Sequence, residues 1–451
     1  MHVHSIRELS VTERTRRLGA ILALLITAAF ECKAQRAASD RAFDARIDAL
    51  IKQEAMAGRF SGIVLVARGD RIVVQRSYGF ADWERRVPSS STTRFGVGSI
   101  TKVITETIVD MLVGEGRLDL NAPVANYLNG FPNGPKGGHA TVRDLLTHRA
   151  GVPHRVTTEL EETEHLGPVD IVERVKARGL LFEPGTAELY SSAGFTCLAR
   201  VIEIVESKPF DSVLVERIFR PASMASATEE TGRRLMMGRA LTYMLQGGPV
   251  GVEVVSAPYQ DLTFLAGAGS LYATAGDLLH FVRTLHNGTF GTVAKKLLGT
   301  ATDTTWTGWY GRTTGYEGSV DFLPATDLTF ILLTNLRSAA TWQIRERVRS
   351  ILTGRAVSGI VPPPTPVRPF ESPAQFLGLY GDPADPLVIS EKHGRLFRDE
   401  SDFYPISGGM YYVPVSGQLM RFARDTSGNV ESIITRFGTA PERTLRRIGR
   451  P

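Results

Sequence analysis

Between Val361 and Pro369 the chain reads VPPPTPVRP, five prolines in nine residues, and neither a packed helix nor a central strand tolerates that density. Each ring fixes φ and removes an amide donor, so the stretch predicts a stiff, extended linker at residues 361–369 that divides the chain. At 451 residues the chain is also too long for one ordinary core. Beyond the linker, residues 370–451 hold short β-rich pieces such as PLVISEKHGRLFRD and GNVESIITRFG, set off by turn residues. They predict a small β domain or barrel. No catalytic cluster is read there, and packing against the main domain is its expected role.

Upstream, residues 40–57 have the spacing of an amphipathic helix, and two β-rich runs follow, split by Arg68-Gly69-Asp70. From Ser99 to about residue 240 the pattern is mostly helical, broken by Gly/Pro loops. Three further β-rich runs, about Trp306–Arg312, Tyr316–Leu323 and Leu328–Asn335, precede a helix near Trp342–Leu352. Strands at both ends of residues 35–360 with helices between them predict an α+β fold. Its expected form is one mostly antiparallel sheet flanked by helices, with a helical lobe inserted between the halves of the sheet. A composition 43% hydrophobic and 22% charged suits a large core. The net charge of +5 comes without a Lys/Arg run or a basic stripe interleaved with aromatics, so no nucleic-acid partner is expected. The pattern leaves the oligomeric state open.

At the N-terminus, Arg14, Arg16 and Arg17 precede an apolar run from Leu18 to Phe30, with small residues suited to cleavage after Ala34. This is the layout of a signal peptide over residues 1–34, and the run is short for a membrane span. The expectation is an exported protein, periplasmic or secreted, with no stable membrane span after cleavage. Only Cys197 then remains, which leaves no intramolecular disulfide. It falls in the apolar part of a helix and reads as buried and inert.

The chemistry begins in RFGVGSITKVITETIVDMLVGEG, Arg94 to Gly116. Ser99 opens a helix with an apolar stripe, and Lys102 follows one turn on, the only Ser-x-x-Lys in the chain. A serine is a common helix cap and a helical lysine is usually solvated. The pairing has a second reading. Positions i and i+3 share a face, so a lysine whose charge is suppressed by burial can take the serine proton. A helix start also offers backbone N–H groups to an oxyanion. Further on, Tyr190 stands at a turn-to-helix junction, placed either to relay protons or to fill the core. Gly311, in TGWYGRTTGYEGSVDF, removes a side chain where a substrate backbone would approach an edge strand.

Taken in order, VGSITK, PGTAELYSSAGF and GWYGRTTGYEGS resemble the three motifs of the serine β-lactamase and penicillin-binding-protein superfamily, nearest its class C and family VIII carboxylesterase branch. The resemblance covers roughly residues 45–350. It implies Ser99 as the acylated nucleophile, Lys102 as its proton acceptor and Tyr190 as a proton shuttle. It also implies an oxyanion site between the backbone N–H groups of Ser99 and Arg312, with Gly311 and Trp309 on the substrate strand. Two departures stand out. Ser192 replaces the asparagine of the second motif, and Trp309 replaces the Lys or His that opens the third. Both turn the expectation toward small neutral esters, hence a carboxylesterase. D-Ala-D-Ala carboxypeptidase or weak β-lactamase activity, and a non-catalytic binding protein, are the alternatives. The substrate would be a small ester, amide or peptide. Neither a cofactor nor a metal is expected, since the nine histidines show no ligand spacing. His148, in LLTHRAG, reads as a hydrogen-bonded structural residue.

Overall fold

A computed structural model describes residues 40–449 apart from 233–234, 249–250, 292, 301, 368–372, 384, 393 and 439. The expected leader, residues 1–34, lies outside the described residues. Helix α1 (40–56) leads into strands β1 (Gly62–Arg68) and β2 (Arg71–Tyr78). Helices α2 (Ile100–Gly114) and α3 (Ser192–Glu206) anchor the helical lobe. A hairpin of β3 (Tyr243–Gly247) and β4 (Val252–Ser256) and helix α4 (Ala275–His286) follow. Strands β5 (Thr307–Arg312), β6 (Glu317–Leu323) and β7 (Leu328–Thr334) then run into α5 (Ala339–Leu352).

The main sheet is antiparallel throughout, in the order β5-β6-β7-β1-β2, so the two ends of the hydrolase-like segment meet where Gly62 faces Thr334. GIVLVAR and LTFILLT are mostly apolar and buried almost throughout because β1 and β7 are central strands covered on both faces. Alternate residues serve different cores. Ile63 and Leu65 join the large cluster formed with the helical lobe, whereas Val64 and Val66 pack with α1 and α5. The edge strand β5 is mostly solvent-facing except at Gly311.

The C-terminal segment closes into an eight-stranded antiparallel barrel: β8 (Gly378–Asp382), β9 (Asp385–Lys392), β10 (Arg395–Arg398), β11 (Ser401–Ile406), β12 (Met410–Val413), β13 (Gln418–Arg424), β14 (Val430–Arg436) and β15 (Arg443–Gly449). It docks on the β3–β4 hairpin, where Met244 enters the barrel's own apolar cluster. The Gly247 N–H donates to Asp402 at 2.9 Å, and a Cβ at Gly247 would lie 2.5 Å from the Tyr404 ring.

Candidate active site

Ser99 sits at the N-cap of α2, but its hydroxyl makes no capping hydrogen bond and its backbone is already helical, φ −62° and ψ −6°. The contrast is Ser191, at the start of α3. That serine is extended, accepts from the Gly194 N–H at 2.8 Å and does the capping expected of its type. Ser99 instead turns its Oγ to Lys102 Nζ at 3.2 Å and to the Tyr190 hydroxyl at 2.7 Å.

Lys102 is 6% exposed, enclosed by the stripe that buries α2. Besides Ser99, its amine reaches Ser192 Oγ at 3.2 Å and the Ala268 carbonyl at 2.8 Å, and no carboxylate pairs with it among the described residues. Burial pulls its pKa down to about 7. Tyr190 is 45% exposed at the cleft, yet burial still raises its phenol pKa, with the Ser99 hydrogen bond pulling the other way.

Two histidines frame the tyrosine. His148 Nδ1 accepts from the Ser191 N–H at 3.1 Å, and its ring stacks 4.5 Å from Tyr190. His154 Nδ1 accepts from the Ser192 N–H at 3.4 Å, with its ring 5.4 Å from Tyr190. Burial drives both down to about 4, helped for His148 by Lys102 and for His154 by Arg155, so both are neutral at pH 7. His148 is a backbone acceptor held at φ +59°. His154 and the Ala268 carbonyl carry no motif and were not singled out from the sequence.

Above Ser99 runs β5. A Cβ on Gly311 would strike the Val97 carbonyl oxygen and lie 2.9 Å from the Ser99 nitrogen, so only glycine permits this approach. Gly98, at φ +53°, meets the same strand from below; a Cβ there would lie 2.5 Å from the Arg312 nitrogen. Hydrogen-bonded and non-hydrogen-bonded pairs alternate along an antiparallel ladder. Since the Thr313 N–H donates to the Tyr316 carbonyl, the adjoining pair Arg312/Glu317 is the open kind. The Arg312 N–H therefore points off the sheet edge, toward the start of α2. The Ser99 N–H donates to no backbone carbonyl among the described residues. Two amide donors thus converge beside the Ser99 hydroxyl.

Two sequence-assigned residues have other surroundings. Trp309 shares the face of Gly311 but packs its indole into the core, 4.8 Å from Phe322 and 5.9 Å from Phe281. It forms part of the wall of the hydrophobic cluster. Ser192, at 7% exposure, faces Lys102 and not open cleft. Cys197 is fully enclosed in α3, its thiol pushed up to about 12 by burial.

At the Arg312 end of β5 is a charged cluster that the motif reading did not single out. Glu317 accepts from the Tyr310 hydroxyl, and Arg337 lies beside it at 6% exposure with no side-chain hydrogen bond among the described residues. Burial, and after it the neighbouring Arg312, press the Arg337 guanidinium pKa down, with Glu317 and Glu400 pulling the other way. A cavity of about 200 Å³ opens next to the same turn, lined by Thr313, Thr314, Arg239, Tyr259 and Tyr272 among others.

The profile of the Beta-lactamase family matches residues 43–349. A Bacillus subtilis (strain 168) protein named for penicillin binding, PbpX, is 29% identical over 229 residues, 51% of this chain and 56% of that protein. The chain spans about half the length of the relatives it matches in this way. Among solved structures, the D-amino acid amidase of Ochrobactrum anthropi SV3 with D-phenylalanine shares the fold at a TM-score of 0.60. It is 20% identical, and the match covers 69% of this chain and 99% of that one. SurE matches at a TM-score of 0.59 and 23% identity over 91% of this chain and 99% of its own, a span that takes in the barrel. With two thirds of its length under that one profile and the same fold in these solved structures, the chain belongs to the beta-lactamase family.

Proposed function

We propose that this beta-lactamase-fold hydrolase is an exported serine enzyme that works through an acyl-enzyme, with small esters as its favoured substrates. One observation carries the reading: the Ser99 hydroxyl gives up helix capping and is held instead between an amine and a phenol.

Hydrogen-bond counting supports Lys102 as the base. A neutral amine has two N–H donors and one lone pair. The donors satisfy the Ala268 carbonyl and Ser192 Oγ, which leaves the lone pair for the Ser99 hydroxyl proton. As Ser99 attacks a carbonyl carbon, Lys102 takes that proton and the oxyanion settles between the Ser99 and Arg312 N–H groups. The Tyr190 hydroxyl, at 2.7 Å from Ser99 Oγ, passes a proton to the leaving group. Water then reverses the sequence and frees the acid.

A second reading has its own observation. The third motif opens without a cation, but Arg312 and Arg337 put positive charge near the same strand end, with Glu317 and Glu400 close by. Substrates with a free carboxylate, such as D-Ala-D-Ala peptides or β-lactams, would find a counter-charge there. The amidase neighbour's complex with D-phenylalanine points the same way. A purely binding role is the weakest reading, because all three members of the Ser–Lys–Tyr network are present and within hydrogen-bonding distance.

Offering the protein a short-chain nitrophenyl ester, a chromogenic cephalosporin and a D-Ala-D-Ala peptide ranks these readings by kcat/KM. Ser99→Ala is expected to abolish fluorophosphonate labelling with the fold intact. Labelling of that variant at the wild-type rate removes Ser99 from the mechanism.

A further inference from the structure

Every group placed in the mechanism so far comes from the hydrolase domain. The barrel contributes one more side chain to the same place. Strands β10 and β11 are joined by the two-residue turn Asp399-Glu400, with Asp399 at φ +53°. Asp399 is pinned to β9, since its N–H donates to the Val388 carbonyl at 2.8 Å and its carboxylate accepts from the Val388 N–H at 3.0 Å. Glu400 thereby projects out of the barrel toward the hydrolase domain.

There it meets two chain segments, one from each wall of the cleft. One carboxylate oxygen accepts from Arg155 Nη1 at 3.0 Å, and the other lies 3.5 Å from the Thr314 hydroxyl. Arg155 follows His154, which holds the Ser192 N–H on its ring and the Ala193 N–H on its carbonyl at 3.2 Å. Thr314 lies two residues beyond Arg312, the outer oxyanion donor. One acidic group therefore ties the wall behind Tyr190–Ser192 to the wall formed by β5. Its electrical surroundings suit that task. Arg155, Arg312 and Arg337 face it, and Glu162 lies 3.4 Å from the same Arg155 nitrogen. Burial tends to raise the Glu400 carboxyl, but Arg155, with Arg337 and Arg312 behind it, outweighs burial and holds it below the usual carboxylate range. With its side chain 24% exposed, the pair is partly shielded from water and salt.

We infer that Glu400 is a positioning residue for the hydrolysis: it fixes the distance between the Tyr190–Ser192 turn and the Arg312 N–H by clasping Arg155 and the end of β5. The inference rests on the acyl-enzyme reading above. It differs from simple adhesion between domains, which other contacts, such as Met244 in the barrel core and Lys392 with Glu159 at 3.0 Å, already provide.

The test uses the full chain. For wild type, Glu400→Ala, Glu400→Gln, Arg155→Ala and the double variant Arg155→Ala/Glu400→Ala, one measures the fluorophosphonate labelling rate and both kcat and KM on a short-chain nitrophenyl ester. Melting temperature is followed alongside. Misplacing a reacting group by about an ångström costs up to ~100-fold, so Glu400→Ala is expected to lower kcat by about 10- to 100-fold with little change in KM. Glu400→Gln, which keeps the shape and an acceptor, is expected to recover part of that loss. The double variant should fall no further than the worse single one, because the two side chains act as a unit. Wild-type kcat in Glu400→Ala, with only the melting temperature lowered, overturns the inference, as do losses that add in the double variant. Should Glu400→Ala fail to fold, a folded Arg155→Ala at full kcat overturns it equally. A wild type that neither labels nor turns over ester sinks the acyl-enzyme reading and this inference with it. A wild type that does both, beside a fully active Glu400→Ala, sinks this inference alone.

Discussion

Lys102 loses its charge because its amine is enclosed by apolar neighbours and meets only neutral oxygens, with no carboxylate to stabilise an ammonium. The sign of the pH dependence follows. Below about pH 7 the amine is protonated and has no lone pair for Ser99; above it the base is ready. The kcat/KM profile on a neutral ester is expected to rise with pH through a limb near 7. His148 and His154, neutral down to about pH 4, add no competing limb in that range. Lys102→Arg, always charged, should cost about 10²-fold or more in kcat, and an unshifted limb in a folded Lys102→Arg would assign that limb elsewhere. Ser99 and Lys102 were legible because their relation is local, three residues along one helix. His154, the Ala268 carbonyl and Glu400 were not, since each reaches the site only through tertiary folding. Trp309 shows the reverse limit: its motif position is readable, but the side its indole packs against depends on Phe281 and Phe322 from other elements.

Between elements, β6 and α5 are joined by an ion pair under the sheet. Arg345 donates twice to Asp321, at 2.5 and 3.0 Å, and Ser319 adds a third donor at 2.8 Å, with the Asp321 side chain fully enclosed. Asp321→Ala removes both short bonds to the Arg345 guanidinium, leaving it only Glu346 at 3.7 Å, and is expected to lower stability by about 3 kcal/mol or more, read from chemical denaturation of the hydrolase domain. A loss under ~1 kcal/mol would mean water or Glu346 takes over the pairing. Most of the sheet could be read from the sequence, because β1 and β7 are mostly apolar runs and β5–β7 are set off by turn residues. Helix α5 begins three residues earlier than its apolar spacing implies, since Ser338 caps it by accepting from the Ala340 N–H. The β3–β4 hairpin went unread. Its five-residue strands alternate weakly, β4 is only partly buried, and much of its apolar surface exists to receive the barrel.

For the whole molecule, the docking at Gly247 sets where the barrel sits and thus where Glu400 points. Gly247→Val drives a side chain into the Tyr404 ring, and is expected to loosen the barrel, increase the radius of gyration in solution scattering and lower ester turnover about tenfold. Full turnover with an expanded shape would uncouple the barrel from the reaction. The barrel was foreseeable as a β-rich unit after a proline-rich stretch, but its reach into the cleft was not, because that depends on how two separately folded surfaces meet. The pairing of β1 with β7 has a different consequence. Ser61 and its partner Thr334 are 273 residues apart, and translation adds on the order of 5–20 residues per second, so the nascent chain waits tens of seconds before this seam can close. Throughout that interval GIVLVAR offers an apolar, hydrogen-bond-hungry border to any passing strand. Shielding of that border during synthesis is thus expected to limit how much of the chain reaches the folded state in living cells.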